Sequence, residues 1–139
     1  MAAQTSYGAI DLFMPKAIHE RVSSVAGSGE GKPFRRMIDF WWAGLCLGVR
    51  AHQRVPMSGD SVKFIDGSIF ASDPWRIVHL ELLTLATEGE DAIKSASQVI
   101  TRAQEYANWG MERLLDSLAG ESLPALSLLT NIDDILADV

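Results

Sequence analysis

The chain has little of several things, and each scarcity narrows its function. Among 139 residues there is one cysteine, Cys46. An internal disulfide is therefore excluded, which fits a reducing compartment. The only lysines are Lys16, Lys32, Lys63 and Lys94. No apolar run approaches the about 20 residues that a bilayer-spanning helix needs, so no membrane partner is expected. The opening "MAAQTSYGAIDLF" lacks a basic stretch followed by a long apolar one. No secretory signal is apparent, and the cytoplasm is the default location. The three histidines, His19, His52 and His79, fall on separate segments. His79 and Glu81 sit on different faces of a helix, a poor metal pair. No CxxC, HExxH, GxSxG or phosphate-loop pattern is present. The acid clusters Glu88–Asp91 and Asp133-Asp134 read as solvated helix ends. Nothing brings a nucleophile, a base and a charge-stabilising group together. The expectation is a protein that is not an enzyme and needs no cofactor and no metal.

What is present is an ordinary globular composition, 47% hydrophobic and 22% charged, in a chain long enough to bury a core without staples. The net charge of −6 is unevenly spread. Residues 1–54 carry seven basic against four acidic side chains, a balance of +3, whereas residues 55–139 carry five against fourteen, a balance of −9. An anionic partner should meet the first third of the chain.

The most distinctive stretch is "FRRMIDFWWAGLCLGVRAHQR", Phe34 to Arg54. Of the thirteen residues between Arg36 and Arg50, Asp39 alone is charged. Phe34, Ile38, Trp41, Leu45 and Val49 share one helix face, and Phe40, Cys46 and Leu47 spill onto the others. A helix apolar nearly all round is buried nearly all round. Gly44 and Gly48, four apart, let a second backbone approach closely. The reading is a central helix, ending near His52, that meets another subunit through Trp41, Trp42, Gly44, Leu45 and Gly48. Burial wholly inside its own chain is the alternative.

The remaining chain divides at its turn residues. "GAIDLFMP" alternates like a strand, with Ile10, Leu12 and Met14 on one face. Pro15 then opens a helix carrying Ile18, Val22 and Val25 and stopping at Gly27. Asp66-Gly67, between short apolar runs, signals a small hairpin near residues 62–70, with a plain loop as the alternative. Asp73-Pro74 starts the next helix, whose inward stripe is Trp75, Val78, Leu82, Leu85 and Ala86. From Ile93 to Leu118 the apolar spacing stays helical, and Gly110 within it marks a close packing contact. The tail 121–139 forms a weak helix or two. The fold expected is mainly α: one compact domain over 1–139, a bundle of four to five helices with a short N-terminal strand. Its parts are strand-helix-helix (7–54), hairpin or loop (55–72), two helices (73–120) and the tail helix.

Lys32, Arg35 and Arg36 flank the start of the greasy helix, where free backbone N–H groups already favour anions. Arg50, His52 and Arg54 flank its end. Repeated in an oligomer, Lys32, Arg35, Arg36, Arg50 and Arg54 could track a DNA phosphate backbone. Strand, helix, glycine turn and helix in this order resemble the start of the ribbon-helix-helix fold, in which paired strands read DNA. Here Ala9, Asp11 and Phe13 would be the readers. A longer resemblance covers roughly Ile10 to Leu118. "GEGKPFRRMIDFWWAGLCLGV", "VKFIDGSIF" and "EYANWGMERLL" are similar, in order, to stretches of the DndE-like accessory proteins of bacterial DNA phosphorothioation systems. That resemblance implies a helical, non-enzymatic homo-oligomer of a DNA-modification or anti-phage defence system. Such a protein touches DNA or scaffolds other proteins of the system. A ribbon-helix-helix regulator or antitoxin, and a plain protein-interaction domain, are the alternatives.

Overall fold

The computed structural model describes residues 7–137; residues 1–6 and 138–139 of the expected 1–139 span lie outside the described residues. The protein is mainly α, with six α-helices and a short two-stranded antiparallel sheet among the described residues. Strand β1 is Leu12–Pro15 and pairs with β2, Ser61–Ile65. Leu12 and Met14 are buried while Phe13 is exposed, as the alternation requires. The helices are α1 (Lys16–His19), α2 (Met37–Ala51), α3 (Ile69–Ser72), α4 (Trp75–Glu88), α5 (Ala96–Leu118) and α6 (Pro124–Ala137).

The residues group into two compact units that interleave in sequence. Among the described residues, the first comprises 7–13 and 63–104, the second 14–62 and 105–137. In the first, Tyr7, Leu12, Phe70, Ile77, Leu80, Val99, Ile100 and Ala103 are buried. Tyr7 and Phe70 meet edge to face with ring centres 5.9 Å apart. In the second, Met14, Ile18, Val22 and Val25 join Ile38, Phe40, Trp41, Met111 and Leu114 in the interior.

Three local differences from the expectation have physical causes. The helix after Pro15 lasts one turn, and a 3₁₀ turn at Val22–Ser24 follows. Two valines and two serines crowd that segment, and the Ser24 hydroxyl donates to the Arg21 carbonyl at 2.8 Å, competing with the helical ladder. Asp66-Gly67 forms no hairpin. β2 pairs with the distant β1 instead, and the Asp66 carboxylate accepts from the Ser68 N–H at 3.0 Å to begin α3. Gly67 is needed for a close approach: a Cβ there would stand 2.6 Å from the carbonyl oxygens of Tyr7, Gly8 and Ile10. The strand partner that the ribbon-helix-helix reading assigns to a second copy is here β2 of the same chain. Asp11, one of its three readers, ion-pairs with Lys63 at 3.4 Å.

The greasy stretch forms α2 as expected. It closes with His52 in the left-handed region at φ 54°, where its N–H donates to Val49 and that of Gln53 to Gly48.

Candidate functional site

Helix α4 is inside out relative to its sequence pattern. Trp75, Val78, Leu82 and Leu85 face solvent, at 46%, 55%, 56% and 43% exposure. Arg76, Ile77, Leu80, Glu81 and Thr84 are buried instead. Two of the three inward charges are ion-paired. The Arg76 guanidinium meets the Asp73 carboxylate at 3.1 Å, so Asp73 serves the helix start through this pair. Glu88 accepts from Arg102 at 2.8 Å. Glu81 lies against the Tyr7 phenol; burial, and then the Glu81 charge, hold that phenol's pKa well above its ordinary value. Buried charges are tolerated where they are paired, as Arg76 and Glu88 are; a Glu81 carboxylate oxygen and the Tyr7 hydroxyl are buried without a hydrogen-bond partner among the described residues. Together these side chains take the face that the apolar stripe would have filled.

The outward face of α4 consequently presents Trp75, Val78, His79, Leu82, Leu85, Ala86 and Thr87, with no Asp, Glu, Lys or Arg among its exposed residues. Positions 75, 78, 82 and 85 follow the 3-4-3 spacing of a coiled-coil seam. That spacing was legible in the sequence. Its direction was not, because an apolar stripe points inward by default.

The five basic residues do not gather at one place. Arg36 is engaged by Asp39 one turn on, at 3.3 Å, and Arg54 by Glu105 at 3.8 Å. Lys32 and Arg35 line a shallow groove with Gly27, Ser28, Gly29 and Glu30. Arg50 stands at the far end of α2, along the edge of a different cavity. The helix between these ends rises about 22 Å over its 15 residues.

The residues expected at a subunit interface are used largely within the chain. Trp41, Gly44, Leu45 and Gly48 are buried, and Trp42 is partly exposed. The backbone that approaches the two glycines belongs to α5. A Cβ on Gly48 would stand 2.2 Å from the Tyr106 carbonyl oxygen, and one on Gly44 would stand 2.8 Å from the Met111 nitrogen. The close approach inferred from the glycine spacing is present, with α5 in the place given to a second copy. Gly110 is its counterpart on α5, as its place in the helical pattern suggested.

Helix α6 covers one side of a cavity of about 310 Å³. Ala43, Cys46, Leu47 and Arg50 of α2 form one wall; Leu128, Ile132, Ile135 and Leu136 of α6 form the other. Phe34 and Leu114 complete it. The Cys46 side chain is open to solvent on one side, and partial desolvation raises the thiol pKa above its usual value.

No family model, curated protein or solved structure matches the chain. Among the described residues, no group of three or more His, Cys, Asp and Glu side chains could hold a metal ion, and no helix is long and apolar enough to cross a membrane.

Proposed function

We propose that the protein is a non-enzymatic assembly subunit that associates with copies of itself through the outward face of α4. The observation that carries this reading is the inversion of that helix: its charged side chains are turned inward and its apolar seam faces water. An exposed apolar row framed by polar surface marks an interaction surface. A second copy suits it because the face carries no charge, so chains of net charge −6 can meet there without opposing like charges. A role in a DNA-modification or defence complex, as implied by the DndE-like stretches, fits a subunit that works by contact rather than by chemistry. Light scattering across a concentration series tests the proposal. A mass that rises with concentration in the wild type, and stays monomeric in Leu82→Glu with unchanged helicity, supports it. A wild type that is monomeric at every concentration overturns it.

Contact with a DNA backbone is a second reading. It is favoured by one observation, that Lys32 and Arg35 line a common groove beside the glycine turn. Glu30 in the same groove opposes it, and so does the pairing of Arg36 and Arg54 with carboxylates. Binding of a short duplex at low salt that is lost in Lys32→Ala/Arg35→Ala would support this reading. Equal binding by the double variant would remove it.

A further inference from the structure

We propose that the cavity between α2 and α6 binds the acyl chain of a free medium-chain fatty acid, with Arg50 taking its carboxylate. This inference is independent of the assembly role of α4. Two apolar helix faces line the cavity. On α2, Ala43, Cys46 and Leu47 follow one another at helical spacing, and Arg50 comes next, at the end of the row. On α6, the facing residues are aliphatic. Arg50 is the one charged side chain among the lining residues, and among the described residues it forms no ion pair. An apolar trough with a cation at one end is complementary to a molecule with an apolar tail and an anionic head. Guanidinium is suited to that head, because it can donate two parallel hydrogen bonds to one carboxylate.

The size and the construction of the walls support the same reading. Protein interiors are close-packed, and adjacent aliphatic faces would ordinarily interdigitate. Here about 310 Å³ stays open between them, at the lower end of the about 300–1,000 Å³ usual for small-molecule sites. Helix α6 is free to adjust around a guest. It is tied near its start, where the Ala125 N–H donates to the Gly31 carbonyl at 2.9 Å, and it buries none of its residues. Elements with little buried surface open at low cost. Cys46, the chain's one thiol, lies in the trough wall and reports on its occupancy.

The experiment uses the full chain, with dodecanoate and dodecanol as probes below their aggregation limits. Calorimetric titration follows binding, and the rate of Cys46 modification by a thiol reagent follows occupancy. Saturable binding of dodecanoate with protection of Cys46 is expected. Arg50→Gln should weaken dodecanoate about tenfold, the loss of one charged contact, and leave dodecanol unchanged. Ala43→Leu, which narrows the trough, should weaken both. The idea is overturned if dodecanoate leaves the wild-type thiol rate unchanged, or if Arg50→Gln binds both probes like the wild type. It is equally overturned if the protein binds vesicles of phosphatidylglycerol but no monomeric dodecanoate, since the surface would then be a lipid-headgroup contact.

Discussion

Gly44 and Gly110 bring the backbones of α2 and α5 together: a Cβ on Gly110 would stand 1.7 Å from the Gly44 carbonyl oxygen. No side chain fits in that space, so the two helices must separate if either glycine is replaced. Gly110→Ala is therefore expected to destabilise the protein by about 3 kcal/mol or more, in the upper range for overpacking. Gly8→Ala is the control. A Cβ there meets nothing within 4 Å, so the change should stay within about 1 kcal/mol. Urea denaturation of the two variants makes the comparison, and equal midpoints would contradict the helix contact.

The inversion of α4 predicts opposite outcomes for neighbouring leucines. Leu80 is buried and Leu82 is 56% exposed. Leu80→Ala should cost about 2–5 kcal/mol as a core cavity. Leu82→Ala should change monomer stability by no more than about 0.5 kcal/mol. Were α4 turned as its apolar stripe suggests, the ranking would reverse. Thermal melts at a concentration where the protein is monomeric decide the matter.

Alkaline stability should depend on Tyr7. Its pKa is raised in the folded protein by burial first and the Glu81 charge second. A raised pKa means that the folded state holds the proton more tightly than the unfolded state. The associated stability is complete below the unfolded value of about 10 and is lost as pH rises above it. Denaturation curves between pH 8 and pH 11 should fall more steeply for the wild type than for Tyr7→Phe. Parallel curves would show that the phenol does not contribute.

Asp66 has the opposite sign. Its hydrogen bonds to Ser68, and to a lesser degree the Lys63 charge, lower its pKa. Its contribution is present above the ordinary carboxylate range and disappears as pH falls through the lowered value. Asp66→Asn should reduce the dependence of stability on pH in acid, as seen in urea midpoints from pH 5 downward.

His52 closes α2 with a positive φ of 54°. That conformation is costly for a residue with a Cβ and free for glycine. His52→Gly should raise stability by about 0.5–1 kcal/mol despite the added freedom of the unfolded chain. A loss of stability would mean that the imidazole has a packing role beyond capping.

Much of this molecule could be read from residue order. Apolar spacing and turn residues place α2, α4 and α5, and the near-absence of charge from Met37 to Val49 marks α2 as interior. The glycines at 44, 48 and 110 announce a close helix contact, because only glycine tolerates it. Other features depend on residues far apart in the chain. The partner of β1 lies near residue 63, and hairpin chemistry at Asp66-Gly67 carries no information about that pairing. The cavity beside Arg50 is built from the matching of α2 with α6, which no local pattern encodes.

The sequence by itself determined the three long helices α2, α4 and α5 and the glycines of their close contact, because these follow from backbone sterics and short-range periodicity. Only the tertiary structure decided which way α4 faces and which helix fills the glycine notch of α2. A stripe specifies that one side of a helix is apolar. Whether that side turns inward depends on what the other side can satisfy, and here Asp73 and Arg102 pair with Arg76 and Glu88 while Glu81 lies against Tyr7, leaving the apolar seam of α4 in water.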